Sequence, residues 1–170
     1  MRLSNIPLLV AFAIVAQAAQ ASPPNVILVM TDDQGWGDLS LHGNPALQTP
    51  HLDQLASESV QLQHFYVHPV CTPTRAALMT GRYMVRLGTQ SNVIYWDTPW
   101  GVALNETFIA QHFQRAGYAT ALFGKWHLGM TPDLLPINRG FERTVILADS
   151  GADNWEQKPY LPIYDKANWF

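Results

Sequence analysis

The chain of 170 residues contains one cysteine, so no disulfide can close within it. Charge is also scarce: Asp, Glu, Lys and Arg make up 14% of the residues, the net charge is −3, and no basic run is present. A phosphate backbone would find no matching surface, and a nucleic-acid partner is excluded. No apolar stretch reaches the ~20 residues that a bilayer-spanning helix needs. The apolar run from about Ile6 to Ala16 stands behind Arg2 and ahead of Ala19-Gln20-Ala21 and Ser22, the arrangement of a cleaved secretory leader. Residues 1–21 are therefore expected to be a signal peptide, with no membrane association after its removal. The compartment expected is periplasmic or extracellular in a bacterium, lysosomal or secreted in a eukaryote. Internal repeats and low-complexity linkers are missing too.

Strands and helices are expected to alternate in what remains. Asn25 to Met30 is a continuous apolar run that reads as a buried strand. It leads into a glycine-rich loop, Thr31 to Asp38. Thr49-Pro50 carries the cap and first-turn signals of a helix running to about Ser57. Val60 to Val67, rich in β-branched and aromatic residues, reads as a second strand. Thr72 and Pro73 predict another helix start, with Arg75 to Thr80 as its body. A helix with Phe108, Ile109, His112 and Phe113 on one face is expected near Asn105, ended by Gly117, before a strand over Tyr118 to Phe123. The pattern implies an α/β fold with a mostly parallel sheet between helices. From Asp149 onward the composition is loop-like, and the chain stops on Trp169-Phe170. Residues 22–170 are thus expected to be the N-terminal part of a longer domain.

Three clusters carry chemistry. Cys71 lies at the start of a predicted helix, where the dipole and unpaired N–H groups favour an anion, and Arg75 adds a cation one turn on. A free cysteine is otherwise a small buried hydrophobe, and a thiol nucleophile is a further reading open here. Asp32 and Asp33 are adjacent carboxylates at the carboxyl end of the first predicted strand. Like charges held there repel unless a cation neutralises them, and hard oxygen donors suit calcium or magnesium; a solvated turn is the plainer alternative. Lys125 and His127, two apart after a predicted strand, would share a side and could hold an anion and handle a proton. Asn105-Glu106-Thr107 is a formal glycosylation sequon. His42, His51, His64, His68 and His112 fall in no such cluster.

The string from Cys71 through Thr72-Pro73-Thr74-Arg75 to Thr80-Gly81 resembles the signature of the sulfatase family, and Gly124-Lys125-Trp126-His127-Leu128-Gly129 resembles its second signature. Thr31 to Asp38 is similar to the family's metal loop, and Arg139-Gly140-Phe141-Glu142 to a further landmark of structural character. The resemblance runs from Asn25 to about Trp155. It implies an arylsulfatase-like sulfuric ester hydrolase with an alkaline phosphatase-like fold, incomplete in this chain. It also implies that Cys71 is oxidised to formylglycine by a generating system before folding. One hydroxyl of the hydrated aldehyde would attack sulfur, and the second would expel sulfate. By the same resemblance Asp32, Asp33 and the residue made from Cys71 hold a divalent metal, usually calcium, Arg75 and Lys125 contact the sulfate, and His127 hydrogen-bonds the hydrate. Substrates of this class are small-molecule or carbohydrate sulfate esters. A phosphate or phosphonate ester hydrolase of the same superfamily is the competing activity, and a non-catalytic binding protein that keeps the fold or a truncated product with no activity of its own are the remaining alternatives.

Overall fold

A computed structural model describes residues 22–90, 93–95 and 98–151. The expected leader, and the loop-like segment beyond residue 151, lie outside the described residues. Residues 22–31 make one unit, and the folded body begins at Asp32. Three α-helices and one parallel strand pair are formed among the described residues: α1 (Pro50–Ser57), α2 (Cys71–Thr80), α3 (Ile109–Arg115), β1 (Ala121–Lys125) and β2 (Arg143–Leu147). One-turn 3-10 helices fill the connections, two of them between β1 and β2 at Pro132–Leu134 and Pro136–Asn138.

The expected strand over Asn25 to Met30 is not formed. The segment is without regular structure, and Ile27 and Val29 are 87% and 80% exposed. Val60 to Val67 likewise makes no strand. An apolar run reports that a segment favours covered faces, but a strand also needs a neighbour for its N–H and C=O groups. Among the described residues only β1 and β2 supply one another with such a neighbour, in the register Ala121↔Arg143 to Lys125↔Leu147.

That pairing also moves β1 two to three residues beyond the expected Tyr118 to Phe123. Thr120 fixes its entry: the hydroxyl donates to the Gly140 carbonyl at 2.7 Å, and the Thr120 carbonyl accepts from Glu142 N–H and Arg143 N–H. β2 was not anticipated, although Arg143-Thr144-Val145-Ile146-Leu147 has the β-branched content of a strand. The α/β class with parallel pairing stands.

One face of the pair is covered. Leu122 and Ile146 are buried with Ala76 of α2, Ala110 of α3, and Val102, Phe108, Trp126, Leu128, Phe141 and Ala148. Phe123 and Val145 on the strands remain exposed. Trp126 is the hinge of this core. Its ring meets Phe108 at 5.6 Å and the edge of Phe141 at 6.2 Å between centroids, and its Nε1–H donates to the Gly129 and Leu134 carbonyls. The Gly101 backbone packs against this turn so closely that a Cβ there would lie 2.5 Å from the Leu128 carbonyl oxygen.

The helices sit where the sequence places them, with local differences. α1 has Pro50 in its first turn, and Asp53 accepts from the hydroxyls of Ser40 and Thr49 and from Leu41 N–H, tying the helix to the preceding loop. α3 starts after Phe108 rather than near Asn105, and Gly117 follows its end with φ +85°. α2 begins at Cys71 itself, with Val70 as the N-cap. Thr72 therefore lies inside the first turn instead of capping it, which frees its hydroxyl for a longer-range bond.

Candidate functional site

The site is organised by the way α2 crosses the end of β1. Thr72 and Arg75, three apart on one helix face, reach the carbonyls of His127 and Lys125, just past and at the end of β1. The Thr72 hydroxyl donates to the His127 carbonyl at 3.2 Å and Arg75 Nη1 to the Lys125 carbonyl at 2.7 Å. These two bonds hold the helix bearing half-buried Cys71 against the segment bearing Lys125 and His127. Arg75 also lies one turn after Cys71 on the same side of the helix.

Asp32 joins from the glycine-rich loop. Its Oδ2 accepts from Arg75 Nη2 at 2.7 Å and from Lys125 Nζ at 2.9 Å. Partial burial raises the Asp32 carboxyl, but Lys125 and Arg75 outweigh it and hold the group below the usual carboxylate range. Both cations use the same oxygen, so Oδ1 has no partner among the described residues. Asp33 is exposed, takes part in no ion pair among the described residues, and adopts φ +54°, a conformation more often seen for Asp and Asn than for other side chains. The loop beyond is braced internally: Asp38 accepts from Gly35 N–H at 2.6 Å, and Asn44 donates to the Gly37 carbonyl at 2.5 Å. No group of three or more His, Cys, Asp or Glu side chains is arranged to hold a metal among the described residues. Asp32, Asp33 and Cys71 are thus not gathered into a three-ligand cage there.

Lys125 and His127 do not form the shared clamp expected of an extended chain. β1 ends at Lys125, and His127 adopts φ +60°, which breaks the two-residue alternation. Lys125 goes to Asp32, whereas the His127 ring is fully buried, with Nε2 2.8 Å from the Ile94 carbonyl. A carbonyl only accepts, so Nε2 carries the hydrogen. Burial first, and then the Lys125 charge, push the His127 pKa down to about 4. The ring is neutral at pH 7 and its Nδ1 is a buried acceptor without a partner among the described residues. Arg75 Nε is a buried donor in the same condition, as is Arg139 Nε outside this arrangement. An orphaned donor and an orphaned acceptor, on residues that α2 and the end of β1 hold together, fit a group that both accepts and donates.

Sequence reasoning missed Thr72 and Ile94 as parts of this arrangement. Thr72 lay in the quoted signature, but nothing in the string distinguishes a capping hydroxyl from one that crosses to another element. Ile94 contributes only backbone atoms, which leave no trace in residue type. The third landmark is structural, as the resemblance implies. Arg139 is buried, donates to the Ala103 and Glu106 carbonyls at 3.0 and 3.2 Å, and lies 4.1 Å from the Phe108 ring centre.

Residues 24–168 match the Sulfatase family. Arylsulfatase A of Bos taurus is 46% identical over 135 residues, covering 77% of this chain and 26% of that protein. N-acetylgalactosamine-6-sulfatase of Rattus norvegicus is 36% identical over 169 residues, covering 94% and 32%. Among solved structures, Ps i-CgsB in complex with k-i-k-neocarrahexaose superposes with a TM-score of 0.71 at 36% identity, over 78% of this chain and 30% of that one. The chain thus spans about a quarter to a third of the length of the proteins it matches. With its signatures, its parallel α/β fold and these relatives in agreement, the chain belongs to the sulfatase family, with that family's alkaline phosphatase-like fold.

Proposed function

We propose that the protein is a sulfuric ester hydrolase of the arylsulfatase kind, and that Cys71 is converted to formylglycine. The observation that carries this reading is the contact by which Thr72 and Arg75 hold the helix bearing Cys71 against the segment bearing Lys125 and His127, where Arg75 Nε and His127 Nδ1 are buried without partners among the described residues. A thiol offers only a weak S–H donor and a weak acceptor, whereas an aldehyde hydrate has two hydroxyls that donate and accept. That hydrate would supply a nucleophilic hydroxyl and a second one whose proton can leave when sulfate departs. Arg75 and Lys125 would bind the sulfate oxygens and offset charge that builds on them. His127, neutral and fixed with Nδ1 free, would accept a hydrogen bond from the hydrate.

In this reading Asp32 and Asp33 belong to a calcium site, with magnesium the less suitable ion. The free Oδ1 of Asp32 and the exposed carboxylate of Asp33 are hard oxygen donors of the right kind. Calcium takes about six to eight oxygens, so these two residues would be part of a larger set. The family assignment supports a sulfate monoester as substrate. The sugar named with one structural neighbour and the amino sugar named with one relative support a sulfated carbohydrate, beside an aryl sulfate, as substrate. Residues 1–21 would be an export leader and residues 22–170 the N-terminal part of the catalytic domain. The formylglycine-generating system is then the partner needed before folding.

The test is mass spectrometry of the peptide containing position 71, with turnover of aryl and carbohydrate sulfates measured on the same intact protein. Aldehyde in place of thiol, with sulfate release abolished in Cys71→Ala, is the expected result. Full activity in protein carrying only unmodified cysteine would refute the mechanism. Faster release of phosphate than sulfate from matched esters would assign the competing activity.

A further inference from the structure

We propose that Thr72 is a positioning residue, whose hydroxyl acts through the Ile94 peptide to hold the His127 ring in one orientation and one tautomer. The inference rests on the reading of His127 given above. Thr72 is fully buried and its hydroxyl is used twice. It donates to the His127 carbonyl at 3.2 Å and accepts from the Ile94 N–H at 3.2 Å. The carbonyl of the same Ile94 receives Nε2–H of His127 at 2.8 Å. The three residues therefore form a closed loop: Thr72 grips the backbone of His127 directly and its side chain through residue 94.

The consequence lies at the other ring nitrogen. With Nε2–H committed to a carbonyl, Nδ1 of the neutral ring presents a lone pair, and that atom is buried and without a partner among the described residues. Rotating the ring or exchanging its tautomer would strand the Ile94 carbonyl in the interior, where an unpaired polar group is costly. The barrier to that exchange depends on Ile94 staying in place. Ile94 is itself buried, and its N–H has Thr72 as its bonding partner. Removing the hydroxyl leaves the Ile94 N–H and the His127 carbonyl without this partner and loosens the group that orients the ring. Serine keeps the hydroxyl, while valine keeps the shape and loses both bonds.

The experiment compares Thr72→Ser and Thr72→Val in the intact protein with an aryl sulfate as probe. Formylglycine at position 71 is quantified by mass spectrometry in each variant, and kcat is expressed per formylglycine, because Thr72 adjoins the modified residue. Misplacing a reacting group by about 1 Å can cost about 100-fold in rate. Thr72→Val is therefore expected to lose roughly that factor in kcat, with KM within about threefold because Arg75 and Lys125 keep their partners. Thr72→Ser should recover most of the loss. Histidine-selective ¹⁵N NMR should show a single Nε2–H tautomer at His127 in the wild type and Thr72→Ser, and a mixture in Thr72→Val. Equal kcat per formylglycine in the two variants overturns the proposal, as does an unchanged tautomer in Thr72→Val. Should Thr72→Val not fold, Thr72→Ala carries the same expectation. Wild-type protein without formylglycine or sulfate release would instead sink the proposed activity, and the NMR comparison would still decide the role of Thr72.

Discussion

Substituting Asp32 by asparagine tests a role that sets it apart from Asp33, which the sequence groups with it only as a metal ligand. Asp32→Asn keeps shape and one acceptor oxygen but removes the charge that Arg75 and Lys125 share at 2.7 and 2.9 Å. The two cationic side chains are only 10% and 15% exposed, whereas that of Asp32 is 35% exposed. A fully buried pair broken on one side costs ~3–5 kcal/mol, and an exposed pair ~0–1 kcal/mol. With Asp32 a third exposed, each contact is discounted to ~1–2 kcal/mol, and the two together to ~2–4 kcal/mol. Asp33→Asn loses no ion pair among the described residues, and asparagine tolerates φ +54° as aspartate does, so ~0.5 kcal/mol or less is expected. Urea unfolding of chelator-treated intact protein, followed by circular dichroism, gives both midpoints. The difference between variants also has a pH signature. Folding lowers the Asp32 pKa below 3.8, so its contribution is complete above that value and disappears as pH falls through the lowered one. Equal midpoints for the two variants at pH 7 would refute the shared-oxygen arrangement, even if both fail to bind metal.

Arg139→Met should lower stability by ~2–4 kcal/mol, since it removes the charge-assisted bonds to the Ala103 and Glu106 carbonyls and a longer one to Val102, and leaves the Glu106 carbonyl without a partner among the described residues, while Arg139→Lys should cost about half as much. Sulfate release per folded molecule should be unchanged in both, and a midpoint shift below ~1 kcal/mol for methionine would contradict the bonding described. For His127, the folded pKa of about 4 lies below the ordinary 6.5, so the unfolded chain binds the extra proton first. Stability contributed by the neutral ring is complete above pH 6.5 and is lost as pH falls towards 4, by ~3 kcal/mol. Calorimetry over that window should show the slope in the wild type and a flatter profile in His127→Gln. Gly140→Ala meets both a φ of +94° and a Cβ position 2.6 Å from the Gln111 backbone nitrogen. A loss of ~2–4 kcal/mol is expected from strain and displacement of α3, and a melting temperature unchanged from wild type would show that α3 yields freely.

Short-range chemistry was legible in the sequence, because it depends on residues a few positions apart. Pro50 in the first turn of α1, Arg75 one turn after Cys71, and Gly117 closing α3 are decided by backbone sterics and helix periodicity alone. The signatures at Cys71–Gly81 and Gly124–Gly129 identified the family for a similar reason: a fixed order of reactive and turn-forming residues is itself a local property. Which strands exist was not legible. Asn25 to Met30 is a short apolar run and Arg143 to Leu147 a mixed one, yet only the second has a hydrogen-bonding neighbour within the described residues.

The site divides along the same line. Sequence alone singled out Cys71, Arg75, Asp32, Asp33, Lys125 and His127 as residues of the right chemistry. Tertiary structure decided that Arg75 and Lys125 share one oxygen of Asp32, and that positive φ at His127 turns its ring away from the lysine's task. It also placed Thr72 and the Ile94 peptide in the loop that fixes that ring. Those contacts join positions 22 to 55 residues apart along the chain, with Lys125 and Asp32 further apart still, and three of the groups involved are backbone. A backbone carbonyl is the same on every residue, so only the fold determines which one a side chain will meet.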